Sequence, residues 1–287
     1  KPETRFITCC TRRRRTSRTA APRRRMIRGT LPGARADAIH MFNTVQALVL
    51  REVRYKEADK ILTLFTKSDG KITAKARGAL RKGSKITAAT QQLTYSEMTL
   101  FGNRGKWSVN EASVIESFDG LRNDIADFAL GCYFAECLEA LGVEDQPDEA
   151  MLQLGLNSLY ALSRKMYPAA LIKAAFELRL MCLAGYTPEL GGCAECGRAE
   201  PESPLLSLSS GVVCCRGCQT AAMGQVVPLD EGSLAAMRYI VSAPAKQVFS
   251  FAIDGEPLKR LSDAAEQYLL RQTERRFGTL EYWKKVK

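Results

Sequence analysis

The hydrophobic period of this chain changes once, near residue 120, and that change restricts the fold more than any other feature. Between residues 44 and 116, apolar side chains come in short runs that tend to alternate with polar ones. From residue 123 onward they recur every three or four positions. Alternation places side chains on opposite faces of a strand, whereas a 3.6-residue period draws one stripe along a helix. The chain must therefore build a small β unit first and a larger helical unit after it.

The β unit is segmented by turn chemistry. Residues 44–51 are rich in Val and Leu, residues 61–66 follow, and Ser68-Asp69-Gly70 supplies a tight hairpin turn. In the next segment Ile72, Ala74 and Ala76 fall on one face and Lys71, Thr73, Lys75 and Arg77 on the other. Residues 93–101 and 106–115 flank Gly102-Asn103-Arg104-Gly105, a second hairpin signal. Five strands in about 75 residues suit a small barrel, with the OB-fold the leading expectation and an SH3-like barrel the alternative that strand counting leaves open.

In the helical unit Leu130, Phe134, Cys137, Leu138 and Leu141 share a face, and Phe128, Ala129 and Cys132 widen it. The first helix is therefore expected to be deeply buried, with Gly142 as its stop. Asp148 is a plausible N-cap for a second helix that closes at Arg164-Lys165. A third carries Pro168 in its first turn and ends near Gly185, with Leu171, Ala174, Ala175, Leu178, Met181 and Cys182 facing inward. Residues 229–240 and 257–276 supply two more helices.

Ten cysteines are present, and five of them cluster between positions 193 and 218. Cys193-x2-Cys196 and Cys215-x2-Cys218 form two pairs 18 residues apart. Each such turn offers two thiolates from one tight loop, and two turns complete the tetrahedron that Zn2+ requires. Gly197 and Gly217 sit where a knuckle is expected to tolerate little side-chain bulk. Cys214 adjoins Cys215 and competes with it as third ligand, although the spacing favours Cys215. A redox pair lacks the βαβ context it needs, and a degenerate finger with buried cysteines is the remaining alternative. Scattered helical cysteines plus one cluster suit a reducing cytosol and a structural Zn2+ site better than a disulfide framework. The expected fold is α+β: a five-stranded OB-fold barrel at residues 41–120, then a helical domain at 121–287 with an inserted four-cysteine zinc finger near 190–220.

The formal net charge is +11, of which residues 1–40 contribute +10, residues 41–120 contribute +5 and residues 121–287 contribute −4. The first forty residues, with arginine runs at 12–15 and 23–25 and no apolar periodicity, read as a leader foreign to the folded body that follows. A basic phosphate-binding arm and a transit peptide are the competing readings. Within the body, residues 54–85 hold ten basic side chains against Glu57, Asp59 and Asp69, a net of +7. Arg54, Lys56, Lys71, Lys75, Arg77, Arg81, Lys82 and Lys85 are the candidate DNA contacts, since a groove that tracks a sugar–phosphate backbone needs such a cluster. A solvated strand face is the plainer alternative. Tyr55, Phe65, Tyr95, Phe101 and Trp107 are possible base-stacking platforms, and most are expected to be barrel core instead.

Catalytic signatures are missing. The only histidine is His40, so from residue 41 onward the sequence offers no histidine for a triad or a catalytic metal centre. Residues 78–85 approach the phosphate-cradling GxxxxGK[ST] pattern but reverse its last two positions, and no periodic helix follows closely. No stretch approaches the roughly 18 apolar residues of a membrane span. Carboxylate-only catalysis is conceivable, but Glu and Asp are spread evenly and form no evident pair or metal cluster, so a soluble, cytoplasmic protein that is not an enzyme is expected.

The run Tyr55-Lys-Glu57-Ala-Asp59, followed by Thr66-Lys-Ser-Asp-Gly70 and by Ala76-Arg77-Gly78-Ala79-Leu80-Arg81-Lys82, resembles the RecO family. The later order is similar as well: apolar helices, then Tyr186-Thr187-Pro188, two CxxC pairs, and Gly211-Val-Val before the second pair. The loop at 80–84 departs from the family pattern of a double arginine with proline, and alignment through Gly211 points to Cys214 rather than Cys215. The resemblance covers residues 41–277. It implies an OB domain, a helical domain and a structural zinc finger. It also implies a recombination mediator in DNA repair that binds single- and double-stranded DNA, anneals complementary strands, and works with RecR to load RecA on strands coated by single-strand-binding protein, SSB. Two other classes stay open on the residues alone: a zinc-dependent nucleic-acid enzyme, and a barrel–zinc-ribbon docking module in transcription or translation.

Overall fold

The computed structural model describes residues 41–103 and 106–287. The basic segment 1–40, with Cys9, Cys10 and His40, and the Arg104-Gly105 part of the second expected turn lie outside the described residues.

Five strands close a barrel: β1 (Met41–Tyr55), β2 (Asp59–Thr66), β3 (Gly70–Ala76), β4 (Tyr95–Asn103) and β5 (Lys106–Glu116), in the order β1-β2-β3-β5-β4. Neighbours are antiparallel except β3 and β5, which run parallel through Ala74–Trp107, Lys75–Ser108 and Ala76–Val109. This is the OB-type barrel, and it comes from the segments whose alternation called for strands. β1 serves both sides, pairing with β4 from Met41 to Leu48 and with β2 from Ala47 to Tyr55. A register shift between Val49 and Arg51 gives the bend this needs. Val45, Ala47, Val49, Leu62, Leu64, Ile72, Ala74, Ala76, Met98 and Leu100 fill the interior.

The helical region holds α1 (Ile125–Leu141), α2 (Glu149–Ser163), α3 (Ala169–Leu183), α4 (Glu231–Ser242), α5 (Gly255–Thr273) and α6 (Gly278–Val286). Capping follows the sequence. Asp124 accepts from the N–H groups of Ala126 and Asp127, and Asp148 accepts from that of Met151. Pro168 stands at the N-cap of α3 and Gly142 ends α1. Two things were not read in advance: α6, whose apolar stripe is only Leu280, Trp283 and Val286, and a four-stranded sheet. That sheet comprises β6 (Glu189–Cys193), β7 (Leu205–Ser207), β8 (Val212–Cys214) and β9 (Val226–Pro228), ordered β6-β8-β7-β9. Strands of three to five residues carry too little alternation to be seen.

The barrel does not stand apart. Leu48, Leu50 and Phe65 leave its interior side and join Leu130, Phe134 and Leu138 of α1 in one core. Burying a side chain such as Phe65 contributes about 1.5–3 kcal/mol. Gly70, at φ +66°, turns the chain between β2 and β3, and a Cβ there would lie 2.0 Å from the backbone oxygen of Gln146. Only glycine satisfies both the turn and this close approach. Among the described residues no helix is long and apolar enough to cross a membrane.

Candidate metal centre and nucleic-acid interface

Parallel pairing of β6 with β8 sets the two cysteine turns side by side, with Ala194 N donating to Val213 O at 2.9 Å. The ligand atoms of Cys193, Cys196, Cys215 and Cys218 lie within 4.8 Å of one another, and the Sγ atoms of Cys196 and Cys215 are 3.9 Å apart. A tetrahedral ion with bonds of about 2.3 Å has sulfur–sulfur edges of roughly 3.8 Å, so the set fits one metal ion. Backbone N–H groups support the charge such a site needs: Cys196 N and Cys215 N point at Cys193 Sγ at 3.5 and 3.3 Å. These donors, Cys196 first, pull the Cys193 thiol down to about 6. The Cys218 thiol is instead pushed up by its contact with Cys196 and by burial. Four thiolates leave no open position for water or substrate.

Cys214 stands outside this set. It pairs with Leu205 across the small sheet, is fully buried, and burial raises its thiol. Its place is the apolar patch beneath the knuckles with Leu205 and Met223. The glycines differ from expectation. Gly197 is required by its φ of +72°, while nothing lies within 4 Å of a Cβ at either Gly197 or Gly217, so bulk constrains neither position.

The candidate DNA contacts divide into two groups. Lys75 is 2.8 Å from Asp59 Oδ2, and Lys71 donates to the Glu139 carbonyl of α1 at 3.0 Å. Arg54, Lys56, Arg77, Arg81, Lys82 and Lys85 are exposed and have no ion-pair partner among the described residues. All six lie on two loops and their margins, the β1–β2 turn and the long connection after β3. Asp59 ties these loops together: Oδ1 accepts from Gly78 N at 2.8 Å while Oδ2 holds Lys75, and Leu80 N donates to Ala58 O at 2.9 Å. The Lys75 contact, with the Gly78 N–H second, holds the Asp59 carboxyl below its ordinary value.

The aromatic residues sort as sharply. Phe65 and Tyr95 are core. Tyr55 is 43% exposed at the centre of the basic loops, with the Lys75 and Lys56 ammonium groups 4.9 and 5.6 Å from its ring centroid. Phe101 and Trp107 are half-buried. Phe42, which the sequence did not single out, is 65% exposed and packs on Phe101 with centroids 5.0 Å apart. The register Phe42–Phe101–Ser108–Lys75 puts this pair in one outer row with the Tyr55 cluster.

A third charged cluster lies inside the helical region. Lys173 is 2.9 Å from both Glu177 Oε1 and Glu266 Oε2, and Tyr133 donates to Glu177 at 2.7 Å. Burial pushes Glu177 up and outweighs the Lys173 charge beside it. Lys173 and Glu177 are fully buried, so the network joins α1, α3 and α5 without facing a cleft. Its signal was a lysine and a glutamate four residues apart in an otherwise apolar α3.

Comparison with known proteins assigns both halves of the chain. Residues 41–118 match the family described as Recombination protein O N terminal, and residues 122–281 match Recombination protein O C terminal. The DNA repair protein RecO of Acetivibrio thermocellus is 35% identical over 237 residues, covering 83% of this chain and 94% of that protein. Its namesake from Symbiobacterium thermophilum is 31% identical over 245 residues, covering 83% and 95%. A barrel with two basic loops, a helical region and four convergent thiols thus coincide with matches over most of the sequence, and the chain belongs to the RecO family of DNA repair proteins.

Proposed function

We propose that this chain binds single-stranded DNA along the two basic loops of its barrel, anneals complementary strands and catalyses no covalent step. The observation that carries this reading is the set of six exposed cations, held together by Asp59 around the exposed ring of Tyr55. Two polyanions repel, and cations that cover the phosphates of one strand lower that barrier while its bases remain free to pair. Stacking on Tyr55 and on the Phe42–Phe101 pair suits single strands of any sequence. In the cell the same surface would meet double-stranded DNA as the annealed product, and the protein would act with RecR to load RecA on SSB-coated strands at the nucleoid.

The four cysteines would hold Zn2+ as a structural ion. The metal neutralises thiolate charge and locks the two turns, and the chain's own residues supply the N–H···S contacts that orient Cys193. The closed donor set speaks against a zinc-dependent nuclease, and the exposed aromatic rings within the basic surface speak against a mere docking module.

Six neutralised phosphates predict that log K falls with log salt at a slope of about −4 for single strands. Replacing Arg77, Arg81 and Lys82 by Ala is expected to flatten the slope by about 2, whereas replacing Lys71 and Lys75 is expected to change it far less. Fluorescence titration of labelled oligothymidylate reads both. A strand-annealing assay on SSB-coated complementary oligonucleotides tests the activity, and cleavage of the oligonucleotide, abolished by chelator, would replace this reading with the enzymatic one.

A further inference from the structure

The basic loops end beside a cleft of about 470 Å3 that lies between the barrel and the start of the helical region. Its walls include Glu52 and Arg54 of β1, Lys60 of β2, Leu80 of the connection after β3, and Arg122 and Phe128 at the start of the helical region. We propose that this cleft is a nucleotide subsite. It would take one residue of a bound polynucleotide, with the phosphate between Arg54 and Arg122 and the base against the Arg122 guanidinium. The proposal rests on the DNA-binding reading above and extends it to a residue outside the barrel.

Charge distribution is the first ground. Lys60 is buried and neutralised by Glu52 at 2.5 Å, so these two of the lining residues form a closed ion pair. Arg54 and Arg122 remain exposed on the walls without an ion-pair partner among the described residues. One comes from the barrel and the other from the start of the helical region, and two arginines lining one cleft offer a site for an anion.

Preorganisation is the second. Arg122 donates to the Gln92 carbonyl at 3.1 Å, and its guanidinium carbon lies 5.6 Å from the centroid of the Phe128 ring. A guanidinium held by a backbone carbonyl beside an aromatic ring, in an exposed residue, offers a flat cationic surface on which a nucleobase stacks. Continuity is the third. Leu80 lines the cleft and is followed directly by Arg81 and Lys82, so a strand that follows those cations arrives at the Arg54 wall. The volume falls within the ~300–1,000 Å3 of small-ligand pockets. An acidic peptide would satisfy the charges, but the stacking surface and the continuity with the loops favour a polynucleotide.

The test uses the full chain with oligothymidylate carrying 5-iodouracil. Photocrosslinking followed by peptide mapping should mark the segment containing Arg122 and Phe128. Arg122→Ala should lower the salt slope by about 0.7 and the affinity about fivefold at 0.1 M salt. Arg122→Lys should keep the slope and lose most of the crosslink, since it retains charge without the plane. A thermal melt of each variant separates these effects from loss of the Gln92 contact. Unchanged slope and affinity in Arg122→Ala, with no crosslink in the segment, would overturn the proposal. If the Arg77, Arg81 and Lys82 variant still loses binding in that case, the barrel reading survives, and if it does not, both fall. A labelled oligoglutamate peptide that loses binding in Arg122→Ala, while oligothymidylate does not, would assign the cleft to an acidic protein segment and likewise overturn it.

Discussion

The barrel and the helical region use the same charged residue types in opposite ways. In the barrel the interior is aliphatic, and six exposed cations lie on two loops that the Asp59 carboxylate helps to tie together. In the helical region α1 and α3 are apolar nearly all round, so α3 has no wet face on which to place Lys173 and Glu177. Those two turn inward and neutralise each other with Glu266. A lysine on a small barrel can reach a phosphate because water surrounds it, whereas a lysine in a thick helical core becomes part of the packing. Surface-to-volume ratio, not residue identity, decides which role is open.

The sharpest way to break this contrast is at the cysteine turns, which belong to neither mode. Chelation or Cys196→Ser should expose the amides of β6, β7, β8 and β9, with protection in hydrogen exchange falling by about a hundredfold or more. Leu206 and Val213 belong to the helical core, so that core should loosen too, while the salt slope for DNA stays unchanged. Retained protection would mean that the apolar patch of Leu205, Cys214 and Met223 holds the sheet without an ion.

A smaller effect is expected at the buried pair. Lys173→Met leaves Glu177 without its cation and should cost about 3–5 kcal/mol, read from the denaturant midpoint of the helical region. Adding Glu177→Leu should return much of that loss. The pH dependence has a definite sign. A carboxyl whose folded pKa lies above its unfolded value binds more protons when folded, so stability is higher at low pH and declines as pH rises through the folded value. Burial already raises Glu177, and loss of Lys173 raises it further. The penalty in Lys173→Met should therefore be greater at pH 8 than at pH 5. An equal penalty at both would show that water reaches Glu177.

How far the sequence spoke depended on the length of the repeating signal. Five strands, five of the six helices found among the described residues, the Gly142, Asp148 and Pro168 boundaries and the cysteine spacing all rest on local pattern, and the structure places them close to where pattern put them. The β6–β9 sheet and α6 were silent because strands of three to five residues and a nine-residue helix present too few positions to define a period. At the candidate interface, composition identified the basic stretch but not its division. Lys71 and Lys75 alternate correctly onto the outer face of β3, yet that face meets α1 and Asp59, which are distant in sequence or on another strand. Phe42 and Arg122 were missed for the same reason, since each becomes notable only through a partner, Phe101 or Phe128, brought close by folding.

The smallest effect offers the finest test of whether the barrel's ion pairs position its cations. Asp59 sits within a stretch of net charge +7, so if charge alone governed binding, Asp59→Ala would tighten the grip on DNA. Positioning predicts the reverse. Without the carboxylate, Gly78 N loses its acceptor and Lys75 its partner, and the loop bearing Arg77, Arg81 and Lys82 is left with the Leu80–Ala58 backbone bond as its described tie to the β1–β2 turn. Affinity for oligothymidylate should fall about two- to tenfold, the value of one lost hydrogen bond in a bound geometry. Asp59→Asn should fall between, because its carbonyl can still accept from Gly78. The Asp59 carboxyl is held below its ordinary value, so its contacts are present above that range and lost only as pH falls through the lowered value. The ratio between the native protein and Asp59→Asn should therefore be the same at pH 5.5 and pH 8. Tighter binding by Asp59→Ala would show that the loop finds its place without the tie, and would leave net charge as the whole account of the surface.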